Sequence, residues 1–408
     1  MFQTSNQDYA DLKSFGLTFL NDHTKRQIWE PFYELAHGLP IMELGRLQWL
    51  IAGYDDVVSI MGSESAGLNV PFPVTRSPIL NEFFLGLLPH EPSESHRKLR
   101  SLTQPLFSAA SIAKLEPQFS TLISEYLFPQ IFNADGYDVL EKLGSRVPVM
   151  TSCLLLDIPP TDWKMVSTWA QIIYKQIGRY DQSDLEVKQS EDAYHEFVDY
   201  LRRSKEQKSE YTGGGIGKTL MTLSRNGDIT DTQFIAYFGM LLFTGLDTLT
   251  NAIGNSIWFL GNHPEVFWEL RNKPENSDIA FDEIMRLWGP IRMCIRQLDS
   301  DVPHASGTLP KSATAFLLIH AANRDERKFQ NADQFEWRRH PRSYLAFGVG
   351  PHGCLGIAVG RLIGTVLFRL LATNCSSLST TPGKDNAVFI PSLPILGIES
   401  VMLFAKPV

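Results

Sequence analysis

One ten-residue segment near the C-terminal end combines residue types that suit metal or nucleophilic chemistry. It runs from Phe347 to Gly356 and reads FGVGPHGCLG. Its glycines allow a tight backbone that approaches a flat ligand closely. Cys354 stands where a helix is predicted to begin, and the N–H groups and dipole of a helix N-terminus lower the pKa of a thiol. A thiolate there is either a nucleophile or a metal ligand.

Two other polar groups fall within predicted helices. Glu283 and Arg286 are three residues apart, share a helix face and begin 71 positions before Cys354. Asp247 and Thr248 lie in an apolar helix, where an acid–alcohol pair is costly unless it has a function. Each group also has an ordinary structural explanation. The first suits a solvated ion pair, and the second a hydroxyl bonded to an upstream carbonyl beside a salt-bridged acid.

Hydrophobic periodicity predicts a mainly α fold with minor β. A strand is predicted at Leu47–Gly53, and the tail Val388–Pro407 is predicted as a strand hairpin. The predicted helices cover residues 96–106, 112–132, 161–175, 190–208, 234–259, 278–287 and 355–373. Nothing in the sequence marks a domain boundary. We therefore expect one domain over 1–408, with a β-rich part to about 95, a helical part from about 96 to 380 and a C-terminal β-hairpin from about 385.

Composition excludes several classes of protein. The 408 residues are 43% hydrophobic and 20% charged, which excludes collagen, coiled coil and disorder. With 37 Lys+Arg against 45 Asp+Glu, the chain is not expected to bind nucleic acid. Four scattered cysteines predict neither a disulfide framework nor a zinc site. The N-terminus lacks a signal-peptide pattern and the apolar run Phe234–Leu246 is short, so we expect a cytoplasmic protein without a membrane segment.

The glycines around Cys354 leave room for a macrocycle, and no local signature of a catalytic cysteine–histidine pair is present. A thiolate that binds the iron of a porphyrin therefore fits this loop better than a catalytic nucleophile does. All ten positions of Phe347–Gly356 resemble the haem-binding signature of the cytochrome P-450 family. The acid–alcohol helix and the E-x-x-R pair precede it in the family's order, so the motifs span about His96 to Gly356. The resemblance implies the single-domain cytochrome P-450 fold. Haem b would lie between a long central helix and the Cys loop with the last long helix.

The resemblance also implies roles around the haem. Cys354 would be the axial thiolate and hence the metal ligand, with Phe347 beside its sulfur. The other implied cofactor-binding residues are His96, Arg100, Gly245, Arg296, His352 and Gly356. Tyr344 stands where related bacterial proteins often have a propionate-binding histidine, and its phenol offers that carboxylate one hydrogen bond without a charge.

Two further groups take roles from the same resemblance. Asp247 and Thr248 would be catalytic, guiding protons to the dioxygen that is being reduced, while Gly245 opens a groove for it. Glu283 and Arg286 would join Arg339 in a structural network that holds the haem loop.

The substrate pocket follows from family position and is mainly apolar. Its expected residues are Phe238, Leu241, Leu242, Thr244, Ile291, Arg292, Cys294 and Leu393. Thr244 replaces the usual Ala or Gly, and its hydroxyl is a candidate contact for substrate or water. Arg292 either pairs with a substrate carboxylate or points away into a surface network, and both readings stay open.

The resemblance implies a monooxygenase that inserts one atom of O2 into a small organic substrate, in secondary metabolism. The haem domain accounts for all 408 residues, so electrons are expected from a separate ferredoxin and ferredoxin reductase. Arg97, Lys98 and Arg361 are candidate charges for that docking. The alternatives are an atypical haem-thiolate oxidation, such as phenol coupling, ring closure or nitration, and a non-enzymatic haem-binding sensor. The phosphate-loop-like Gly213–Thr219 lacks the first glycine and the preceding strand of that motif.

Overall fold

A computed structural model describes residues 40–68, 75–91, 93–133, 135–176, 182–206, 215–339, 343–380, 389–390, 392 and 394–408. Its α-helices are α1 (Tyr54–Gly62), α2 (Pro78–Leu85), α3 (Ser93–Thr103), α4 (Ala109–Ala113), α5 (Glu116–Leu127), α6 (Val147–Leu155), α7 (Trp163–Tyr174), α8 (Asp184–Glu206), α9 (Ile216–Asn226), α10 (Asp231–Asn262), α11 (Pro264–Asn272), α12 (Ser277–Trp288), α13 (Ile319–Ala322) and α14 (Ile357–Asn374). Its strands are β1 (Ile41–Gly45), β2 (Gln48–Ile51), β3 (Ala66–Gly67), β4 (Tyr137–Asp138), β5 (Met293–Leu298), β6 (Val302–His304), β7 (Gly307–Leu309), β8 (Thr314–Leu318), β9 (Cys375–Thr380) and β10 (Met402–Pro407).

The helix α10 extends beyond its apolar stretch at both ends. A capping box defines its start, and a proline follows its end. At the start, Thr230 and Gln233 form a capping box: each side chain accepts the backbone N–H of the other, at 3.1 Å in both cases. At the end, Pro264 follows closely and cannot continue the helix. The apolar stretch that suggested residues 234–259 is the buried centre of a helix with solvated ends.

The largest described sheet has the strand order β1-β2-β8-β5-β3. The pair β2–β8 is parallel, and the other neighbours run antiparallel. In β5, Cys294 lies opposite Leu317, and Arg296 lies opposite Ala315. Because side chains alternate along a strand, Cys294 and Arg296 point to the same face of the sheet.

The chain divides into two compact units. The first comprises Met1–Leu68, Ala113–Gly144 and Thr248–Val408 and contains all the described strands. The second comprises Asn69–Ile112 and Ser145–Asp247, and its regular structure is helical where it is described. The helix α10 belongs to the second unit up to Asp247 and to the first from Thr248. A single domain over the whole chain stays a prediction.

Two predicted elements differ from the observed ones. The helix predicted over residues 112–132 is divided into α4 and α5, and Pro117 occupies the first turn of α5, where a missing N–H is tolerated. The strand β10 pairs with β9 and β4 and not within a terminal hairpin. Between 389 and 398 the described residues form one isolated bridge with each other, Phe389–Ile398, and Ile395 bridges to Ile291. Part of the tail, residues 381–388, lies outside the described residues.

One helix in the described part of the chain, α14, is long and apolar enough to cross a membrane by length and composition. Its apolar residues are used inside the first unit. Phe368 packs edge-on against Phe281 of α12, with ring centroids 5.7 Å apart. A Cβ at Gly364 would lie 2.2 Å from the same Phe281 ring, so the two helices meet closely here. These contacts are those of a core helix.

The imidazole of His320, in α13, is buried and neutral. Its Nε2 donates to the carbonyl oxygen of Gly289, the residue that ends α12, at 2.7 Å. Burial lowers the pKa of His320 well below its usual value, and the positive charges of Arg324 and Arg292 lower it further. The folded protein therefore resists protonation of a group that the unfolded chain protonates freely.

We expect the free energy of unfolding to fall as pH decreases from roughly 6.5, with a contribution from His320 that approaches about 1.4 kcal/mol per pH unit. The sign follows because the unfolded chain binds the proton that the folded state excludes. His320→Gln keeps a hydrogen-bond donor but does not titrate, so its profile should be flatter. Urea unfolding across this range measures both. The exposed control His195→Gln should keep the wild-type slope, and an equally steep profile for His320→Gln would contradict the assignment.

Candidate functional site

The segment Phe347–Gly356 forms a tight loop directly before α14. The N–H of Cys354 donates to the carbonyl oxygen of Phe347 at 2.7 Å, and the N–H of Gly353 donates to that of Gly350 at 3.0 Å. The side chain of Cys354 is exposed, and α14 begins three residues later. The thiol therefore sits on a backbone fixed by its own hydrogen bonds, just before a helix N-terminus.

Two glycines of this loop adopt left-handed backbone conformations. The φ angle is +64° at Gly348 and +74° at Gly350. A Cβ at Gly350 would also lie 2.5 Å from the carbonyl oxygen of Met61. At Gly356 a Cβ would lie 3.9 Å from Sγ of Cys354, an ordinary contact. The protein itself thus requires glycine at position 350, whereas it accommodates a side chain at 356.

The three predicted members of the structural network lie together. Arg286, only 1% exposed, donates to both carboxylate oxygens of Glu283, at 2.9 and 2.7 Å. Nε of Arg339 donates to Oε1 of the same carboxylate at 2.8 Å. Burial lowers the pKa of Arg286, and Glu283 opposes that shift. The remaining donors of Arg286 reach the carbonyl oxygens of Asn323, Ala332 and Gln334, at 2.8, 2.6 and 3.0 Å.

A second buried carboxylate, on Asp282, has partners that sequence reasoning missed. Its Oδ1 accepts the hydroxyl of Tyr344 at 2.6 Å and Nε of Arg361 at 2.9 Å. The structure thus corrects two expectations, since Tyr344 is engaged with Asp282 and the charge of Arg361 is neutralised inside the unit. The available signal was that Asp282 adjoins Glu283 in the same predicted helix, so that a second carboxylate there also needed a partner. The ring of Phe347 lies against both partners, 6.0 Å from Tyr344 and 5.7 Å from Arg361.

The surroundings of Arg296, on β5, bear on whether these residues could bind a haem propionate. Its side chain is buried, and Nη1 donates to the carbonyl oxygen of Ile295 at 2.9 Å. Its Nε has no hydrogen-bond partner among the described residues. Burial lowers the pKa of Arg296, although its hydrogen bond with Cys294 raises it. A propionate suits this guanidinium, and Cys354 offers a thiolate, so the donor set fits a haem.

The expected pocket residues of the first unit are close in sequence to Arg296. Ile291 forms an antiparallel bridge with Ile395, and Cys294 lies beside Arg296 on β5. Arg292 is 7% exposed, so its side chain does not belong to a surface network. Leu393 lies outside the described residues. His352, predicted near a propionate, is half-buried in the Cys354 loop.

Basic residues of α3 belong to the second unit. His96 and Arg100 are one helical turn apart; His96 is buried and Arg100 is half-buried. Burial and the charge of Arg100 lower the pKa of His96, so its imidazole is neutral at pH 7. Arg97 and Lys98 are exposed on the same helix, and Nζ of Lys98 donates to the carbonyl oxygen of Asp228 at 2.9 Å.

The helix α10 separates its predicted pocket residues between two faces. Phe238 and Leu242, four residues apart, are completely buried, and Phe238 packs against Phe234 with ring centroids 5.9 Å apart. Leu241 is half-buried and Thr244 is exposed. Phe238 and Leu242 therefore take part in core packing, and the assignment of all four residues to the substrate pocket stays a prediction. The hydroxyl of Thr244 donates to the carbonyl oxygen of Met240 at 2.8 Å, a helical back-bond.

The predicted acid of the catalytic pair has a partner that the sequence did not reveal. Tyr174, the last residue of α7, hydrogen-bonds to Asp247. Burial raises the pKa of Asp247, and this hydrogen bond lowers it. Burial and the neighbouring carboxylate raise the pKa of Tyr174, so it remains a neutral donor. Gly245 precedes this pair, and a Cβ there would lie 3.6 Å from Oγ of Ser152, an ordinary contact.

In the described part of the phosphate-loop-like segment, 215–219, a carboxylate of the protein accepts a backbone N–H at the start of α9. The backbone N–H of Lys218, in the first turn of α9, donates to Oδ2 of Asp157 at 3.2 Å. A Cβ at Gly217 would lie 1.9 Å from the carbonyl oxygen of Leu156, so this glycine permits close chain packing. A carboxylate thus occupies the place that a phosphate would need.

Comparison with known proteins relates this chain to the cytochrome P-450s. A family model described as cytochrome P-450 matches residues 278–388, which include the Glu283 network and the Cys354 loop. The cytochrome P-450 monooxygenase PikC of Streptomyces venezuelae is 24% identical, with 86% of this chain and 84% of PikC covered. The polyketide biosynthesis cytochrome P-450 PksS of Bacillus subtilis strain 168 is 23% identical, with 86% and 88% covered. A family model and many curated and structural neighbours of this chain are thus bacterial cytochrome P-450s.

The crystal structure of CalO2 confirms the predicted mainly α fold with minor β. It superposes with a TM-score of 0.84 at 23% identity and covers 95% of this chain and 98% of that one. Relatives of this chain are named cytochrome P-450 monooxygenases or hydroxylases, and the similarity implies a haem-thiolate cofactor, O2 and a small organic substrate.

Proposed function

We propose that this cytochrome P-450 inserts one atom of O2 into a small, largely apolar substrate of secondary metabolism, in the cytoplasm. One observation carries the proposal: Cys354 presents an exposed thiol on a glycine loop that two buried carboxylates support from α12. The similarity to PksS, a polyketide biosynthesis cytochrome P-450, supports the metabolic setting. Electrons would come singly from a separate ferredoxin and its reductase.

The proposed cofactor is haem b, with Cys354 as the axial ligand. Arg296 and His352 would hold propionates in the first unit, and His96 and Arg100 would do so in the second. A bound haem would supply the reductive activation of dioxygen. The chain's own contribution at the iron is a thiolate whose negative charge is favoured by the adjacent helix N-terminus.

The reduced carbon monoxide difference spectrum tests the ligand. The haem-loaded protein should give the Soret band of a thiolate-ligated iron, and Cys354→His should lose it. The buried Cys375→Ser is a matched control that should keep the band. A thiolate band in Cys354→His, or its absence from the wild type, would refute the assignment.

We assign Asp247 and Thr248 to proton delivery. A half-buried carboxylate with a raised pKa accepts and releases protons closer to neutral pH than an exposed one does. Tyr174 moderates that shift by donating to the carboxylate. Thr248 follows directly in α10 and offers a hydroxyl to the same route.

Asp247→Asn should lower product formation on the order of 10²-fold. Tyr174→Phe removes the hydrogen bond that lowers the pKa of Asp247, so the acidic limb of the pH–rate profile should move to higher pH. Tyr200→Phe, which breaks a 2.9 Å bond to Asp162 in the same unit, should leave that limb in place. Identical limbs in Tyr174→Phe and the wild type would exclude Tyr174 from this role.

Arg292 is our candidate for recognising a substrate carboxylate. Its guanidinium is buried beside the proposed pocket strand, in a region where Ile291 and Cys294 are only half-buried. Arg292→Leu should weaken the binding of acidic ligands and leave neutral ones unchanged, whereas Arg292→Lys should retain part of the acidic preference. Spectral titration of the haem measures both classes. Equal losses for acidic and neutral ligands would show that Arg292 serves packing alone.

A further inference from the structure

Asp282, Tyr344 and Arg361 form a closed cluster below the Cys354 loop. Asp282 is 6% exposed, and one of its oxygens accepts both Tyr344 at 2.6 Å and Arg361 at 2.9 Å. Nη2 of Arg361 also donates to the hydroxyl oxygen of Tyr344 at 3.3 Å. Each side chain of the cluster thus contacts the other two.

The cluster brackets the loop in sequence. Tyr344 precedes Cys354 by ten positions, and Arg361 follows it by seven, in α14. Because both side chains converge on one oxygen of Asp282, the two ends of the loop are tied to a single point of α12. This arrangement locks the geometry of a ligand through residues that do not contact it.

Phe347 connects the cluster with the thiol. Its ring packs against Tyr344, and the guanidinium carbon of Arg361 lies 5.7 Å from its centroid. Its carbonyl oxygen accepts the N–H of Cys354 at 2.7 Å. A displacement of Phe347 would therefore move the backbone of Cys354.

The charges of the cluster cancel. Arg361 is positive and Asp282 is its ion-pair partner, with side chains 25% and 9% exposed. Burial and Asp282 raise the pKa of Tyr344, so it contributes a neutral O–H. If Asp282 lost its charge, Arg361 would act on the neighbouring loop with little solvent screening.

We propose that Asp282, Tyr344 and Arg361 are positioning residues for the Cys354 thiolate. Tyr344 fixes the loop, and Asp282 neutralises an arginine that would otherwise raise the reduction potential of the bound iron. The inference rests on the proposed role of Cys354. It is separate from the Glu283 network, whose Arg339 holds the chain ahead of Tyr344.

Two charge variants test the electrostatic part in the haem-loaded full chain. Asp282→Asn should shift the ferric–ferrous midpoint potential upward, because an unopposed Arg361 favours the reduced, more negative state. Arg361→Gln should shift it downward, because Asp282 is then unopposed. Asp325→Asn, which removes the charge of a buried carboxylate 2.6 Å from the exposed Arg327, should leave it unchanged. Shifts of one sign in both variants would indicate loosening of the site, and they would overturn the proposal, as would no shift.

Tyr344→Phe tests the positioning part by removing one hydroxyl. The thiolate band of the carbon monoxide complex should decay about tenfold faster at fixed temperature, as expected for a lost hydrogen bond to a charged group. Tyr137→Phe is the control, since it removes a part-buried 2.6 Å bond to the carbonyl oxygen of Tyr126 in the same unit. Equal decay in Tyr344→Phe and the wild type would overturn this part. A wild type without the band would instead refute the proposed role of Cys354.

Discussion

Two adjacent carboxylates, on Asp282 and Glu283, are buried in one helix, and each needs a positive partner. Burying an unpaired charge is so unfavourable that the positions of the partners are fixed by it. Glu283 is met by Arg286 and Arg339, and Asp282 by Arg361. The chain between Arg339 and Arg361 includes the Cys354 loop. The placement of that loop therefore depends on the neutralisation of two charges.

The long helix α10 meets a different constraint. Its interior is apolar, yet Asp247 lies within it, and the carboxylate has a neutral phenol as its described partner instead of a cation. A neutral donor satisfies the oxygen without stabilising the charge as strongly as an arginine would. The carboxylate thus remains easier to protonate than a paired one. The same acid paired with an arginine would be a structural ion pair.

Much of the site could be predicted because its signals are local. The spacing of Glu283 and Arg286 puts both on one helix face, and the glycines of the Cys354 loop predict a tight backbone turn. The partners of Asp247 and Asp282 could not be found this way, since Tyr174 and Tyr344 are distant in sequence and tyrosine is ordinary in any helix or loop. For Phe238, family position predicts a pocket residue, and the structure adds that its side chain is completely buried in α10, which periodicity alone did not distinguish from a pocket face.

The guanidinium of Arg286 recognises main-chain carbonyls of Asn323, Ala332 and Gln334, not their side chains. The backbone path of residues 323–334 therefore depends on Arg286, which is remote in sequence, more than on the side chains of the stretch itself. An exposed position such as Gln334, which is bound through its carbonyl oxygen, can change its side chain while the path of the backbone stays the same. Sequence divergence there says little about divergence of structure, which is one way in which relatives near 23% identity retain a common architecture.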